Sequence, residues 1–192
     1  DVERSRGLGD VYKRQTPEIP AMAMPHKLKN MNLFNDGGSY AGKAKTVTLP
    51  ALGRKMEAWR AAGMNGPVKA DLGMSDDGIQ LEWKLGGLDL IVLKQFGAVN
   101  AAGIPLRFAG AFQQDDTGEI SAVEVTVRGR HETIEMGDAT PGEDTEHSVT
   151  TTCTYYKLTV DNEDIIEIDL LNFIEKVGGV DMLEKQRSAI GL

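Results

Sequence analysis

Apolar and polar residues alternate along much of this sequence, and that alternation constrains the fold more than any other feature. In Ile79–Leu85 every second residue is apolar, and the residues between them are polar or charged. Ile120–Glu135 and Asp164–Leu170 contain the same pattern. A period of two is that of a β-strand with one buried and one solvated face. The sequence therefore predicts a mainly β fold built from antiparallel strands.

Turn signals divide the chain into strands and two helices. Strands are predicted at Lys43–Leu49, Gly53–Trp59, Gly66–Leu72, Ile79–Leu85, Ile104–Gln113, Ile120–Glu135, Thr152–Val160 and Asp164–Leu170. Asp77-Gly78 predicts a hairpin between Ile79–Leu85 and the strand before it, and residues 161–163 predict a second hairpin. Apolar residues at helical spacing predict helices at Leu88–Phe96 and Val180–Ile190. We expect an antiparallel β-sandwich or barrel with one packed helix and a C-terminal helix.

The N-terminal residues differ in composition from the rest. Residues 1–21 have no apolar period, and they contain GLGDVYKRQ, which resembles translated sequencing-adapter read-through. A segment that buries no apolar area does not offset its ordering entropy. We interpret residues 1–21 as an extension, disordered or artefactual, before a single domain at 22–192. Within that domain, the Asn- and Gly-rich residues 24–42 are predicted to form an arm, and the acidic residues 137–148 a long loop.

Charge and cysteine content exclude several classes of protein. The formal net charge is −8, which disfavours a general nucleic-acid binder or a polybasic membrane binder. The single cysteine, Cys153, rules out a disulfide within the chain and a zinc site made of several thiolates. No stretch approaches the roughly 18 consecutive apolar residues of a membrane-spanning helix. Residues 1–20 lack the apolar region of a signal peptide, so we expect synthesis in the cytosol.

No catalytic, cofactor-binding or metal-binding constellation is visible. The histidines, His26, His131 and His147, are too far apart in sequence for the usual zinc-ligand spacing. Because His131 has charged neighbours on both sides, we predict that it is a surface strand residue. Cys153 has no adjacent cation to activate it and is predicted to be a small buried apolar residue. Phosphate-loop, dinucleotide, nucleophile-elbow and zinc-protease motifs are all missing, so an enzyme is not predicted.

Seven stretches carry a resemblance to a known family: Pro25–Asp36, Val47–Met56, Gly63–Gly73, Arg107–Glu119, Val125–His131, Gly142–His147 and Cys153–Leu192. Through them, residues 24–192 resemble the major tail tube proteins of contractile-tailed bacteriophages, the FII type. The resemblance implies a structural protein of the virion, made in the host cytoplasm, whose hexameric rings stack into a hollow tube. It also implies a β-sandwich or barrel with a flanking helix, and no catalytic residue, cofactor or membrane insertion.

The implied partners are further copies of the chain, the tail sheath protein, the tape measure protein, and the baseplate and tail terminator proteins. DNA would pass through the tube without specific binding. Two alternatives share the fold: a type VI secretion-like tube that carries effectors, and the tube of a phage-derived bacteriocin. A third alternative, an enzyme with an unrecognised site, requires a small-molecule pocket with shifted titratable groups.

Two sets of residues follow as candidates for these roles. In a ring-shaped assembly the polar faces of the inner strands meet the lumen. The candidate lumen-facing residues are Glu124, Thr126, Arg128, Glu167, Asp169, Gln80, Glu82 and Lys84. Leu33 and Phe34, the apolar residues of the predicted arm, are the candidate contacts between subunits.

Overall fold

The computed structural model of the protein describes residues 23–192, so the predicted extension at 1–21 lies outside the described residues. The elements in chain order are β1 (Lys27–Asn35), β2 (Gly38–Ser39), β3 (Ala44–Thr48), β4 (Arg54–Trp59), β5 (Val68–Met74), β6 (Ile79–Leu85), α1 (Leu90–Gln95), β7 (Ile104–Gln113), β8 (Ile120–Glu135), β9 (His147–Val160), β10 (Glu163–Asp169), β11 (Ile174–Val177), β12 (Val180–Asp181) and α2 (Glu184–Ile190). No helix in this part of the chain is long and apolar enough to cross a membrane.

One branched antiparallel sheet dominates the fold. Its main path runs β12-β11-β10-β9-β8-β7-β1-β2, and β6 and β3 form a branch attached to β9. One edge of β9 pairs with β8, while the other edge is shared: residues 147–153 pair with β6 and residues 155–160 with β10. The predicted mainly β, antiparallel fold with two helices is confirmed. The strands β6, β7 and β8 begin and end at the predicted residues.

The branches curl around one apolar core. All four apolar residues of β6 are buried, and they pack with alternate residues of β7, β8 and β9. The buried apolar residues are Leu33, Tyr40, Ile79, Leu81, Trp83, Leu85, Val92, Ile104, Leu106, Phe108, Val125, Val127, Val149, Cys153, Tyr156 and Ile168. Each large side chain buried in this way stabilises the fold by about 1.5–3 kcal/mol. Most polar residues between them point away from the core, whereas the polar side chains of Asn35, His131 and Thr151 are buried with it.

The predicted arm is instead part of the sheet. Residues 27–35 form β1, which pairs antiparallel with β7 and places Leu33 opposite Phe108 in the core. The asparagines Asn30 and Asn32 alternate with apolar residues, and that period of two outweighs their preference for turns. The arm interpretation of residues 24–42 was therefore wrong, because it followed composition rather than period.

The first predicted hairpin is also wrong, and the second is confirmed. The turn at Asp77-Gly78 forms, with the Gly78 amide donating to the Ser75 carbonyl oxygen at 3.2 Å. It does not create a hairpin, because β6 buries its apolar face by pairing with β3 and β9, while β5 pairs with β4. The β9–β10 hairpin turns at Asp161 and Asn162, whose φ angles of 49° and 67° suit a tight turn.

Both predicted helices occur, in shorter form. Asp89 begins α1 by accepting hydrogen bonds from the amides of Ile91 and Val92 at 2.9 and 3.2 Å. We expected α1 to pack against the core through all of its apolar residues. Of the residues in α1, however, only Val92 is buried. At the C-terminus, residues 180–181 pair as β12 before α2 begins at Glu184.

A β-bulge makes the branching of the sheet possible. The register of β8 against β9 shifts between Arg128 and Gly129, so that Thr154 has no partner on β8. A bulge bends the strand and increases its twist. This is the point at which β9 leaves β10 and joins β6. At the bulge the two backbones approach so closely that a Cβ on Gly129 would lie 2.1 Å from the Thr152 carbonyl oxygen.

We therefore expect Gly129→Ala to destabilise the fold by about 2–3 kcal/mol, because the added methyl overpacks against backbone that cannot move aside. Denaturant unfolding of the purified chain measures this. The control is Gly97→Ala, where a Cβ would lie at an ordinary 3.7 Å from its nearest neighbour. Equal stabilities for the two variants would contradict the close approach.

Candidate functional site

Five of the eight candidate lumen residues lie together on the outer face of the sheet. Thr126 of β8 and Glu167 of β10 are both register partners of Lys157 on β9. In the same way, Arg128 and Asp169 are both partners of Tyr155. We call the outward surface of β7, β8, β10, β11 and residues 155–160 of β9 the polar face.

Cations and carboxylates on the polar face are paired between neighbouring strands. The ion pairs are Arg107 with Glu124 at 2.9 Å, Lys157 with Asp164 at 2.9 Å and Lys176 with Glu167 at 3.7 Å. The hydrogen bond between Lys157 and Asp164 raises the pKa of the lysine and lowers that of the aspartic acid. Arg128 lies over the ring of Tyr155, 4.4 Å from its centre. Exposed pairs of this kind add little stability, but they leave the face close to neutral.

The other three candidates lie on the β6 branch, beyond the bulge. Lys84 forms an ion pair at 2.7 Å with Glu146 of the acidic loop, and Gln80 donates to Glu132 at 3.2 Å. The hydrogen bond from Lys84 lowers the pKa of Glu146. Glu82 lies between Gln80 and Lys84 on the same exposed side of β6. The structure therefore separates this group from the five residues of the polar face.

The two candidate contact residues have different environments. Leu33 is 0% exposed within a single chain, so its prediction as a contact with another subunit is wrong. Phe34 is half-buried on the outward side of β1, and the Arg107 guanidinium lies 4.2 Å from the centre of its ring. The alternation of the strand sends one residue inward and the next outward. Of these two residues, only Phe34 is accessible to a neighbouring chain.

Sequence reasoning missed an apolar surface around α1. Five large apolar residues of this region are between 58% and 92% exposed: Leu88, Leu90, Ile91, Phe96 and Val99. We call these five residues the α1 surface. Apolar residues on all sides of a short helix were a signal in the sequence, because one core can cover only one side. Several large exposed apolar residues close together in sequence are typical of a surface that contacts another molecule.

The hairpin β4–β5 forms a second surface of the same type. Its residues Met56, Trp59, Val68 and Leu72 are exposed, and it pairs with no other strand of the described residues. A two-stranded ribbon is only marginally stable by itself. Arg54 at its base forms ion pairs with Asp71 and with Glu175 of β11. A cleft of about 630 Å³ separates the hairpin from β10, β11 and α2.

Neither His131 nor Cys153 has the environment of a catalytic group. His131 is only 5% exposed, and burial lowers its pKa to about 4, so its prediction as a surface residue was wrong. It is in phase with the buried Val125 and Val127, and that alternation could have located it. Cys153 is buried as predicted, and burial raises the pKa of its thiol to about 12. Across residues 23–192 no group of three or more His, Cys, Asp or Glu residues could hold a metal ion.

Comparison with known proteins assigns a family to this arrangement of strands and exposed surfaces. The family model described as phage tail tube protein FII matches residues 25–191. The chain belongs to this family of phage tail tube proteins. It is 52% identical over 172 residues to the tail tube protein of Escherichia phage P2, covering 89% of this chain and all of that protein. The resemblance found in the sequence is thereby confirmed.

A second tail tube relative is more distant. The major tail tube protein of Serratia phage KSP20 is 39% identical over 172 residues, covering 89% of this chain and 99% of that protein. Among solved structures, a chain of the cryo-EM structure of the anti-feeding prophage baseplate has a TM-score of 0.48 at 12% identity, covering 72% of this chain and 95% of its own length. Hcp1 from Flavobacterium johnsoniae has a TM-score of 0.42 at 13% identity, with 70% and 97% covered. The tail tube family is a family of structural virion proteins.

In this tail tube protein we expect Arg54→Ala to loosen the hairpin β4–β5. The Glu175 carboxylate is 5% exposed and loses its cation, which costs about 1–3 kcal/mol for a buried acceptor left without a partner. Hydrogen exchange of the hairpin amides should accelerate. The control is Lys55→Ala, because Lys55 pairs with the exposed Asp76 and its loss should change exchange little. Unchanged exchange in the Arg54 variant would contradict the anchoring role.

Proposed function

We propose that this chain forms hexameric rings that stack into the hollow tube of a contractile phage tail, through which DNA leaves during ejection. The observation that carries the proposal is the large apolar area that a single chain leaves exposed on the α1 surface and on the hairpin β4–β5. The 52% identity to a phage P2 tail tube protein, over its full length, favours a phage tail over an effector-carrying tube.

The apolar surfaces favour contacts between copies of the chain. A chain that exposes this much apolar area gains free energy when a neighbour covers it, at about 25 cal/mol per Å². The α1 surface and the hairpin β4–β5 are different parts of the chain. Each copy can therefore contact one neighbour through the α1 surface and another through the hairpin. Contacts between two different patches generate closed rings when the rotation closes and open helical filaments when it does not.

The edges of the sheet support the same assembly. Within residues 23–192, no strand pairs with the outer edge of β1 between Lys27 and Asn32. At the opposite end, the sheet stops at the two-residue strand β12. Open strand edges offer unpaired backbone groups to another chain. Joining one end to the other end of the next copy would close the sheets into one continuous ring, with Phe34 beside the joint.

The polar face is the surface that we assign to the bore of the tube. Duplex DNA carries one negative charge per ~1.7 Å, so a bore with free cations would hold it through many phosphate contacts. On the polar face, the cations Arg107, Lys157 and Lys176 each have a carboxylate partner, and Arg128 lies over the ring of Tyr155. DNA would then pass without specific binding. The tape measure protein would occupy the same space during assembly, before DNA enters it.

The remaining partners follow from the geometry of such a tube. The sheath protein would surround its outer surface, and the baseplate and tail terminator proteins would contact its two ends. These assignments make the chain a component of the virion that is synthesised in the host cytoplasm. No catalytic step is needed for any of these roles, because they require only the assembly of subunits and the passage of DNA through the tube.

We expect Ile91→Asp to abolish tube formation while leaving a folded subunit. The substitution places a charge in the α1 surface. Loss of one hot-spot contact lowers the free energy of association by about 2 kcal/mol or more. Light scattering after size exclusion and electron microscopy measure assembly, and thermal unfolding measures the fold. The control is Asn100→Asp, which adds the same charge nearby and keeps the oxygen that accepts from the Ala102 amide. Tubes of normal length from the Ile91 variant would overturn the proposal.

Replacing Glu124 and Glu167 with lysine should slow DNA ejection. The change frees cations on the polar face, which then bind phosphate, and the delay should shrink at high ionic strength. Ring formation should persist, since exposed changes cost little stability. Glu82→Lys serves as the comparison, because Glu82 lies on the β6 branch rather than on the polar face. Slower ejection for the Glu82 variant alone would assign the bore to β6 instead.

A further inference from the structure

A cluster of buried polar side chains attaches α1 to the sheet. The Gln95 amide group of α1 exchanges two hydrogen bonds with the Asn35 amide group of β1, at 2.7 and 2.9 Å. The same Gln95 Oε1 lies 3.2 Å from Nε2 of His131 on β8. On the far side of the ring, His131 Nδ1 lies 2.9 Å from the Thr151 hydroxyl oxygen of β9. One helix is thus tied to three strands through a single set of contacts.

The contacts define which nitrogen of His131 holds the proton. An amide oxygen can only accept, so the ring must donate from Nε2 to Gln95 Oε1. Nδ1 is then unprotonated and accepts from the Thr151 hydroxyl. Trp83 donates its indole N–H to the same Thr151 oxygen at 3.4 Å. Within residues 23–192 no buried side-chain nitrogen or oxygen lacks a partner, so the neutral ring completes the cluster.

Little else attaches α1 to the body of the protein. The helix has six residues and buries only Val92. A helix of this length is unstable without tertiary contacts. Its other attachment is the capping residue Asp89, which accepts from the Tyr40 hydroxyl at 3.3 Å. The position of the α1 surface therefore depends on the bonds of Gln95 and Asp89.

We propose that Asn35, Gln95, His131 and Thr151 form a proton-sensitive clasp that holds α1 on the sheet and releases it when His131 is protonated. The release itself is a property of the single chain. Its consequence for tubes, namely loss of assembly in acid, rests on the proposed role of the α1 surface.

Protonation at Nδ1 reverses the direction of the hydrogen bond with Thr151. Nδ1 would become a donor, so the Thr151 hydroxyl would have to turn its own hydrogen away. The groups facing the ring are Thr151 from β9, Gln95 from α1 and Trp83 from β6, and none of them carries a negative charge. An imidazolium in that place has no counter-ion among these three groups and is almost fully removed from solvent.

Charged groups nearby do not compensate for this. Arg130 and Glu132, the sequence neighbours of His131, are exposed and line the same surface groove as His131. Glu132 already accepts hydrogen bonds from Gln80 and Thr152. Asp89, at the far end of the cluster, is already bonded to Tyr40 and to the α1 amides. The protonated ring is stabilised only by leaving the cluster for solvent.

The direction of the pH effect follows from the buried ring. Burial lowers the pKa of His131 from 6.5 to about 4. Between these values the unfolded or released chain binds a proton that the closed clasp excludes, so the stability of the clasp falls as pH falls from 6.5 towards 4. Above pH 6.5 the clasp is independent of pH. A surface groove lined by Phe96, Arg130 and His131 gives protons and water a route to the ring.

The test uses the full chain, at a concentration below that of assembly, with Trp59→Phe so that Trp83 is the one tryptophan left in the sequence. The centre of the His131 ring lies 6.1 Å from the Trp83 ring, and an imidazolium quenches indole emission more strongly than an imidazole. We expect Trp83 emission to titrate near pH 4. Hydrogen exchange of the α1 amides should accelerate over the same range, while the β7 amides stay protected.

Two variants and one control make the result specific. His131→Gln should abolish the change in α1 exchange with pH. Gln95→Glu puts a carboxylate against Nε2, so the midpoint should rise by one pH unit or more. This variant serves even if His131→Gln does not fold. The matched control is His147→Gln, which removes the other buried histidine, on β9, and should leave the titration near pH 4 unchanged.

Several results would overturn the clasp. One is a Trp83 titration near pH 6.5, and another is α1 exchange that stays constant while the emission titrates. A midpoint that does not rise in Gln95→Glu would also reject it. Failure of the proposed function is distinguishable, because it would appear as tubes that still form when α1 is released.

Discussion

Strand β9 pairs with three other strands, and the rest of the structure depends on that arrangement. Residues 148–160 pair with β8 except at Thr154, and the bulge opposite Gly129 divides the other edge of β9 between β6 and β10. The β6 branch turns over the core and buries Trp83, while the β10 branch continues the polar face. Without the bulge, one strand could not serve both branches, because the alternation of inward and outward residues would continue in one phase.

Regular alternation made much of the fold predictable, and departures from it account for most of the errors. The strands Ile104–Gln113 and Ile120–Glu135 were predicted to the residue because turn residues flank a clear period. The branch to β6 was not predictable, since pairing across the chain depends on which faces the core must cover. In β1 the asparagines concealed the period. At His131 the charged neighbours suggested a surface position, although the period of two assigns this residue to the core.

The candidate site was harder to predict for a physical reason. Polar residues on an exposed strand face look alike in a sequence, and only the register shows that Glu167 and Thr126 flank Lys157 while Glu82 lies elsewhere. The α1 surface was visible as an excess of apolar residues, but helical spacing suggested that they were core. A single chain has too little core to cover them, and this is the mark of a protein whose final structure includes its neighbours.

The pairing of charges on the polar face determines how far the electric field of this face extends into solvent. The cations Arg107, Lys157 and Lys176 each lie within a few ångströms of a carboxylate on the next strand, so the field of each pair decays much faster than that of a single ion. Added salt weakens the attraction and the repulsion of a passing polyanion together, and the balance between them persists. A long charged molecule that moved along such a face would meet small fields of alternating sign rather than one strong attractive site.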